Sequence, residues 1–173
     1  MIASLVADAD RYVGETPQIP PPKAIIVSGA LIQGARLGDT NHATEVNAQY
    51  AVAEEFLSLL ANRFLDGDRS KIVVVPGNHD VSWNTAFAAM RKLLPKEIPV
   101  DILATLNEPD SLYRWSWEER ALYKIEDTTL YATRANAYWD FVERFYSGIA
   151  LPLGLDRNRG FNLFELDEGR IVV

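Results

Sequence analysis

Apolar residues recur along this chain in two rhythms: stripes at helical spacing and unbroken β-branched runs. Ile2, Leu5, Val6, Ala9, Tyr12 and Val13 return every three or four positions, which predicts an amphipathic opening helix. A proline-rich connector, Pro17 to Pro22, leads into Ala24-Ile25-Ile26-Val27, and a run of this kind predicts a strand buried on both faces. That strand ends at Ser28-Gly29-Ala30, before a loop carrying Gly34, Gly38, Asp39, Asn41 and His42. Val46, Tyr50, Ala53, Leu57, Leu60 and Phe64 then form one stripe of a strong helix, closed by Asp66-Gly67-Asp68 with Gly67 as a left-handed cap. The second buried run, Ile72–Val75, stops abruptly at Pro76-Gly77-Asn78-His79-Asp80. Strand, helix and strand in this order predict a βαβ unit with parallel neighbours and a right-handed crossover. The ends Ser28–Ala30 and Gly77–Asp80 are therefore expected side by side at one edge of the sheet.

Beyond this unit the pattern is less regular. Phe87, Met90, Arg91 and Leu94 predict a short helix closed by Pro95, and residues 96–110 read as irregular loop. The segment Ser111–Lys124 holds Tyr113, Trp115, Trp117 and Tyr123, expected to build a local core or a cap over the sheet. Asp127 or Thr128 is expected to cap a last helix striped by Tyr131, Arg134, Tyr138, Phe141 and Phe145 and stopped by Gly148. Asp167-Glu168-Gly169-Arg170 is a turn signal between strands Phe161–Leu166 and Ile171–Val173. The uncapped first helix and the apolar strand at the last residue lead to the expectation that the chain is incomplete at both ends.

Composition narrows the function classes. Hydrophobic content of 48% and charged content of 24% are those of a globular protein. A net charge of -7 argues against a nucleic-acid coat or a membrane-surface patch, which need Lys/Arg clusters. Phosphate chemistry stays open, because bound metal ions can supply local positive charge. The absence of cysteine excludes disulfides, zinc–thiolate sites and thiol nucleophiles. No apolar stretch approaches membrane-spanning length. The opening segment, with Asp8 and Asp10 and no basic region, is not a signal peptide, so a cytoplasmic protein is expected.

Ligands and metals in parallel sheets sit just beyond the carboxyl ends of the strands, where Asn78, His79 and Asp80 are presented. The bland alternative is a capped turn, with Asn78 left-handed and Asp80 capping the next helix. His42 reads as a solvated loop histidine, and Asp39 and Asn41 as turn formers; Asp39 becomes a ligand only if its loop folds back. Arg157, Arg159 and Arg170 are surface arginines able to reach phosphate.

The sequence Ile25-Ile26-Val27-Ser28-Gly29-Ala30-Leu31, a crossover helix, and Val73-Val74-Val75-Pro76-Gly77-Asn78-His79-Asp80-Val81 resembles the calcineurin-like metallophosphoesterases. The resemblance implies an α/β fold, a partial metallophosphoesterase-type βαβ sandwich with a helical insertion. One domain would span residues 1–173: a βαβ core over 1–81, a mostly helical insertion over 82–160, and hairpin strands over 161–173. The implied activity is hydrolysis of phosphomono- or diesters by two divalent metal ions (manganese, iron, zinc or nickel). In that scheme Asn78 is a metal ligand, His79 faces the phosphoryl group as acid or charge stabiliser, and Asp80 orients His79. The substrate would be a phosphoester, with nucleic acid a partner only as substrate. Two departures stand beside the match. Gly29-Ala30 replaces the family's Gly-Asp, whose aspartate bridges the metals, and no Asp-x-His occurs. His42 and His79 are the only histidines, so the later metal-binding histidines are also missing. The expected activity is therefore weak or absent. The alternative is a pseudoenzyme, the same framework used as an interaction or regulatory module. Exposed sheet edges are expected to favour self-association.

Overall fold

The computed structural model describes residues 2–12, 14, 20–151, 154–157, 164–166 and 171–172. The fold is mixed helix and strand with small sheets. Among the described residues, the order is α1 (Ile2–Tyr12), β1 (Ile25–Ser28), α2 (His42–Phe64), β2 (Ile72–Val75), α3 (Trp83–Ala88) and β3 (Met90–Lys92). There follow α4 (Ile102–Leu106), β4 (Tyr113–Ser116), β5 (Ala121–Ile125), α5 (Thr128–Ala132), α6 (Asn136–Phe145), β6 (Glu165–Leu166) and β7 (Ile171–Val172). No helix among these residues is long and apolar enough to cross a membrane.

The predicted βαβ unit is present. β1 and β2 pair in parallel, Ile25 opposite Ile72 through Ser28 opposite Val75. The α2 stripe buries Val46, Tyr50, Ala53, Leu57 and Leu60, with Ala61 added. Its C-terminus closes through the Gly67 amide on the Ala61 carbonyl at 3.0 Å, with both Asp66 and Gly67 in the left-handed region. Helix α6 packs on α2, where Tyr50 stacks on Phe141 at 5.1 Å between ring centres. Tyr138, Phe141 and Phe145 are buried there as the stripe predicted, and Ile72, Val73 and Val74 join the same core.

Several expectations are corrected. β1 is not buried on both faces: Ile25 and Val27 pack on the core while Ile26 is 56% exposed. In a two-stranded sheet the alternation of side chains leaves an outer face uncovered. The helix expected over Phe87–Leu94 stops at Ala88, because the Ala89 carbonyl accepts from the Glu126 and Asp127 amides rather than continuing the helix. Met90–Lys92 become a strand against Tyr123–Ile125. The aromatic segment forms a hairpin with β4 and β5, giving a three-stranded antiparallel sheet of order β3-β5-β4 inside the region read as mostly helical. Residues 96–110 are not all loop, since they hold α4. The last helix is split: Asp127 caps α5 by accepting from the Leu130 amide at 2.8 Å, and a tight turn at Thr133–Ala135 precedes α6. Tyr131 leaves the stripe, with the Arg134 guanidinium 4.0 Å from its ring centre and Arg114 Nε donating to its hydroxyl at 3.0 Å. Val13, connector residues 17–19, Arg159, and the 167–170 turn with Arg170 lie outside the described residues.

Candidate site at the paired strand ends

The loops leaving β1 and β2 touch through glycine. A methyl group on Gly77 would lie 2.4 Å from the Ala30 nitrogen, so no side chain fits where the two loops meet. Ala30 itself has φ +52, in the left-handed region that an alanine enters only at a cost.

Beyond Gly77 the chain makes one tight turn over Asn78–Asp80. The Asp80 amide donates to the Gly77 carbonyl at 3.2 Å, and the Gly77 amide donates back to Asp80 Oδ2 at 2.7 Å. The same oxygen accepts from the Leu31 amide at 3.4 Å, across the gap between the loops. Asp80 Oδ1 accepts from the Tyr50 hydroxyl at 3.2 Å, and the residue is only 3% exposed. Asp80 is thus a clamp joining both loops to α2. This corrects the expectation that it orients His79, since the two side chains share no hydrogen bond among the described residues. It also differs from the bland reading, because the helix that follows is capped by Ser82, which accepts from the Thr85 amide. Burial, and then the negative charge of Asp80, hold the Tyr50 hydroxyl far above the usual tyrosine range. Tyr138 is pushed up for the same reasons, burial first.

His79 is held by another loop. Its Nδ1 lies 2.7 Å from the Gln33 carbonyl. A carbonyl only accepts, so Nδ1 carries the proton, and Nε2 of the exposed ring has no partner among the described residues. Gly34 has φ +77, and a side chain there would press the His79 carbonyl at 3.2 Å. Gln49 of α2 fixes this turn: its Oε1 accepts from the Gln33 and Gly34 amides at 2.9 and 3.1 Å, and its Nε2 donates to the Gly34 carbonyl. Adjacent residues of one helix, Gln49 and Tyr50, therefore position both His79 and Asp80.

Asn78 is exposed, and its side chain has no hydrogen-bond partner among the described residues. Its carbonyl accepts from Trp83 Nε1 at 2.9 Å. Asn84, one residue on, spans the loop from β1: its Oδ1 accepts from the Gly38 amide at 2.6 Å and its Nδ2 donates to the Arg36 carbonyl at 3.0 Å. The Arg36 guanidinium has no acidic partner among the described residues. Sequence reasoning passed over it and considered Arg157 instead. Arg157 is committed to Asp140 and Glu143, at 2.5 and 2.6 Å. The signal for Arg36 was its place in a glycine-bracketed loop leaving a strand end, Gly34 to Gly38.

Asp39 stays a turn former, with Oδ1 accepting from the Asn41 amide at 2.7 Å. His42 is not a loop residue but the first residue of α2, its Nδ1 on the Asp39 carbonyl at 2.8 Å. Among the described residues no group of three or more His, Cys, Asp or Glu lies together where it could hold a metal ion. Asn78 offers an oxygen donor and His79 a nitrogen, but Ala30 offers nothing and Asp80 is consumed by backbone amides and Tyr50. These residues do not fit a two-metal centre. No protein-family model matches the chain, and no curated protein or solved structure is significantly similar to it.

Proposed function

We propose that the paired strand ends form a phosphoryl-binding rim, the Gly-Asn-His-Asp half of a calcineurin-like metallophosphoesterase site, in a hydrolase that is weak or inactive as this chain stands. One observation carries the reading: the exposed His79 ring is anchored through Nδ1, which leaves Nε2 uncommitted on the same turn that carries Asn78. Three donors suit a phosphoryl oxygen: Nε2 of a protonated His79, the Asn78 amide, and the Arg36 guanidinium with its fork of N–H groups. Protonated His79 can also give its proton to a leaving oxygen. The Arg36 guanidinium, on the loop that Asn84 ties to this turn, would pair with the negative charge of a substrate phosphoester.

The test is a titration of the purified chain with inorganic phosphate, read on the ring protons of His79. His42, the only other histidine, serves as the internal reference. Phosphate is expected to move the His79 signals and leave those of His42 in place. Arg36→Ala is expected to weaken the effect about tenfold, the scale of one charge-assisted bond. His79 signals indifferent to phosphate would end this reading. Hydrolysis of p-nitrophenyl phosphate with manganese is expected to stay near background, and Ala30→Asp alone to leave it there, because Asp-x-His and the later histidines are absent as well.

A second reading, an interaction module, is favoured by a groove elsewhere. Ile98, Leu103, Leu106, Tyr113, Trp115 and Trp117 line a groove of about 740 Å³ between α4 and the β4–β5 hairpin. Leu103 and Trp117 are 77% and 84% exposed, a cost that a partner protein would remove.

A further inference from the structure

Trp83 is the first residue of α3, shortly after the turn that carries Asn78 and His79. Two contacts fix its indole. Nε1 donates to the Asn78 carbonyl at 2.9 Å, and Phe87, one helical turn on, meets the ring at 6.2 Å and 45°. The side chain is nevertheless 45% exposed. An indole tied at its nitrogen, touched from one side and open over nearly half its surface is a rigid platform, held by two torsions and costing little entropy to use.

Its neighbour is the reactive corner. Trp83 and His79 line one small cavity together with Gln33, Gly34 and Asn84. That cavity measures about 40 Å³, room for a water molecule and not for the organic half of an ester. A group attached to a phosphoryl oxygen on His79 must therefore lie outside the cavity. The indole of Trp83, which lines the same cavity and is 45% exposed, offers it an aromatic surface there. Fold stability does not account for this arrangement, because an aromatic at the start of a six-residue helix gains more by burial than by exposure.

We propose that Trp83 stacks the non-phosphoryl half of the substrate, so that the site favours phosphoesters bearing an aromatic ring over alkyl phosphates of the same charge. This rests on the phosphoryl-binding reading and adds the class of substrate to it. Stacking on one half-open ring corresponds to a preference of roughly five- to tenfold, the lower part of the range for base–aromatic stacking.

The experiment titrates the full chain, without added metal, with methyl phosphate and with phenyl phosphate, read on the His79 ring protons with His42 as reference. Both esters are expected to shift His79, and phenyl phosphate to saturate at roughly five- to tenfold lower concentration. Trp83→Leu is expected to erase that preference, read as the ratio of the two affinities, because the same substitution also removes the bond to the Asn78 carbonyl. Trp83→Phe, which keeps a ring but loses the tie to Asn78, is expected to retain most of it. Circular dichroism establishes that both variants are folded. Equal affinities for the two esters, or a preference that survives Trp83→Leu, would overturn the role of Trp83 and leave phosphoryl binding standing. If neither ester shifts His79, the phosphoryl-binding reading fails and the stacking role falls with it.

Discussion

Replacing Asp80 distinguishes a structural clamp from a partner of His79. The carboxylate makes one short bond to the Gly77 amide at 2.7 Å, a long one to the Leu31 amide at 3.4 Å, and one to the Tyr50 hydroxyl at 3.2 Å. A bond to a charged group contributes about 1.5–3 kcal/mol and a neutral one about 0.5–1.5 kcal/mol. Against these stands the cost of burying a carboxylate, on a residue 3% exposed, with no cation hydrogen-bonded to it among the described residues. Asp80→Ala is therefore expected to destabilise by about 2–3 kcal/mol. Asp80→Asn is expected to cost only about 1 kcal/mol, because the amide can turn its oxygen to the two N–H groups and its nitrogen to Tyr50. Tyr50→Phe removes one bond and is expected to cost about 1 kcal/mol. Combined with Asp80→Ala it should add less than it costs alone, since the hydroxyl has then lost its carboxylate partner and keeps only the Asp80 carbonyl at 3.3 Å. Urea unfolding midpoints with unchanged slopes give all four values. Asp80→Ala within 0.5 kcal/mol of the parent, or costs that add fully in the double variant, would refute the clamp; about 0.5 kcal/mol is the scatter expected of an ordinary surface change.

Three further outcomes follow from the same geometry. Ala30→Gly removes a left-handed alanine and is expected to stabilise by about 0.5–1 kcal/mol, whereas Gly77→Ala should destabilise by more because the Ala30 nitrogen occupies the space; thermal melts of both variants check this. Burial, then its bond to Glu119, pushes the Tyr123 hydroxyl up to about 12, so its contribution to stability is whole below pH 10, where it is protonated folded or unfolded, and is lost as pH rises through about 12. Alkaline unfolding followed by tyrosine absorbance should accordingly be less steep in Tyr123→Phe. Manganese is expected to wash off the purified chain on gel filtration, with any retained ion read by elemental analysis; about two ions held per chain would mean a ligand set other than the one described.

How much was legible depended on where the partners of each residue lay in the sequence. The βαβ unit was readable because its signals are local: two β-branched runs, a stripe on α2, and glycine just past the stripe. The hairpin of β4 and β5 was not, because Tyr113 and Trp115 alternate with polar residues for only four positions, and β3 exists only by pairing with β5. The region between Ala88 and Ile125 is organised by contacts that cross the sequence, and helical spacing of Phe87, Met90 and Leu94 misled for that reason.

The motif itself was found, but its division of labour was not. Asn78, His79 and Asp80 are contiguous, yet the partners that decide what each can do come from α2 and from the loop after β1. Tyr50 was read as one more residue of an apolar stripe. A buried tyrosine must still place its hydroxyl, and here the acceptor is Asp80, the residue taken for a partner of His79. Whatever chemistry this rim performs therefore has to be done by side chains the fold leaves uncommitted, which among the described residues are Asn78, Nε2 of His79 and Arg36. Ala30 lies where the loop after β1 meets Gly77, and its backbone already has the conformation that aspartate and asparagine tolerate better than alanine. Ala30 is exposed, so Ala30→Asp buries no carboxylate and should cost about 1 kcal/mol or less. A loss above about 3 kcal/mol, read by the same urea midpoints, would show that the backbone at position 30 was never shaped for an acid.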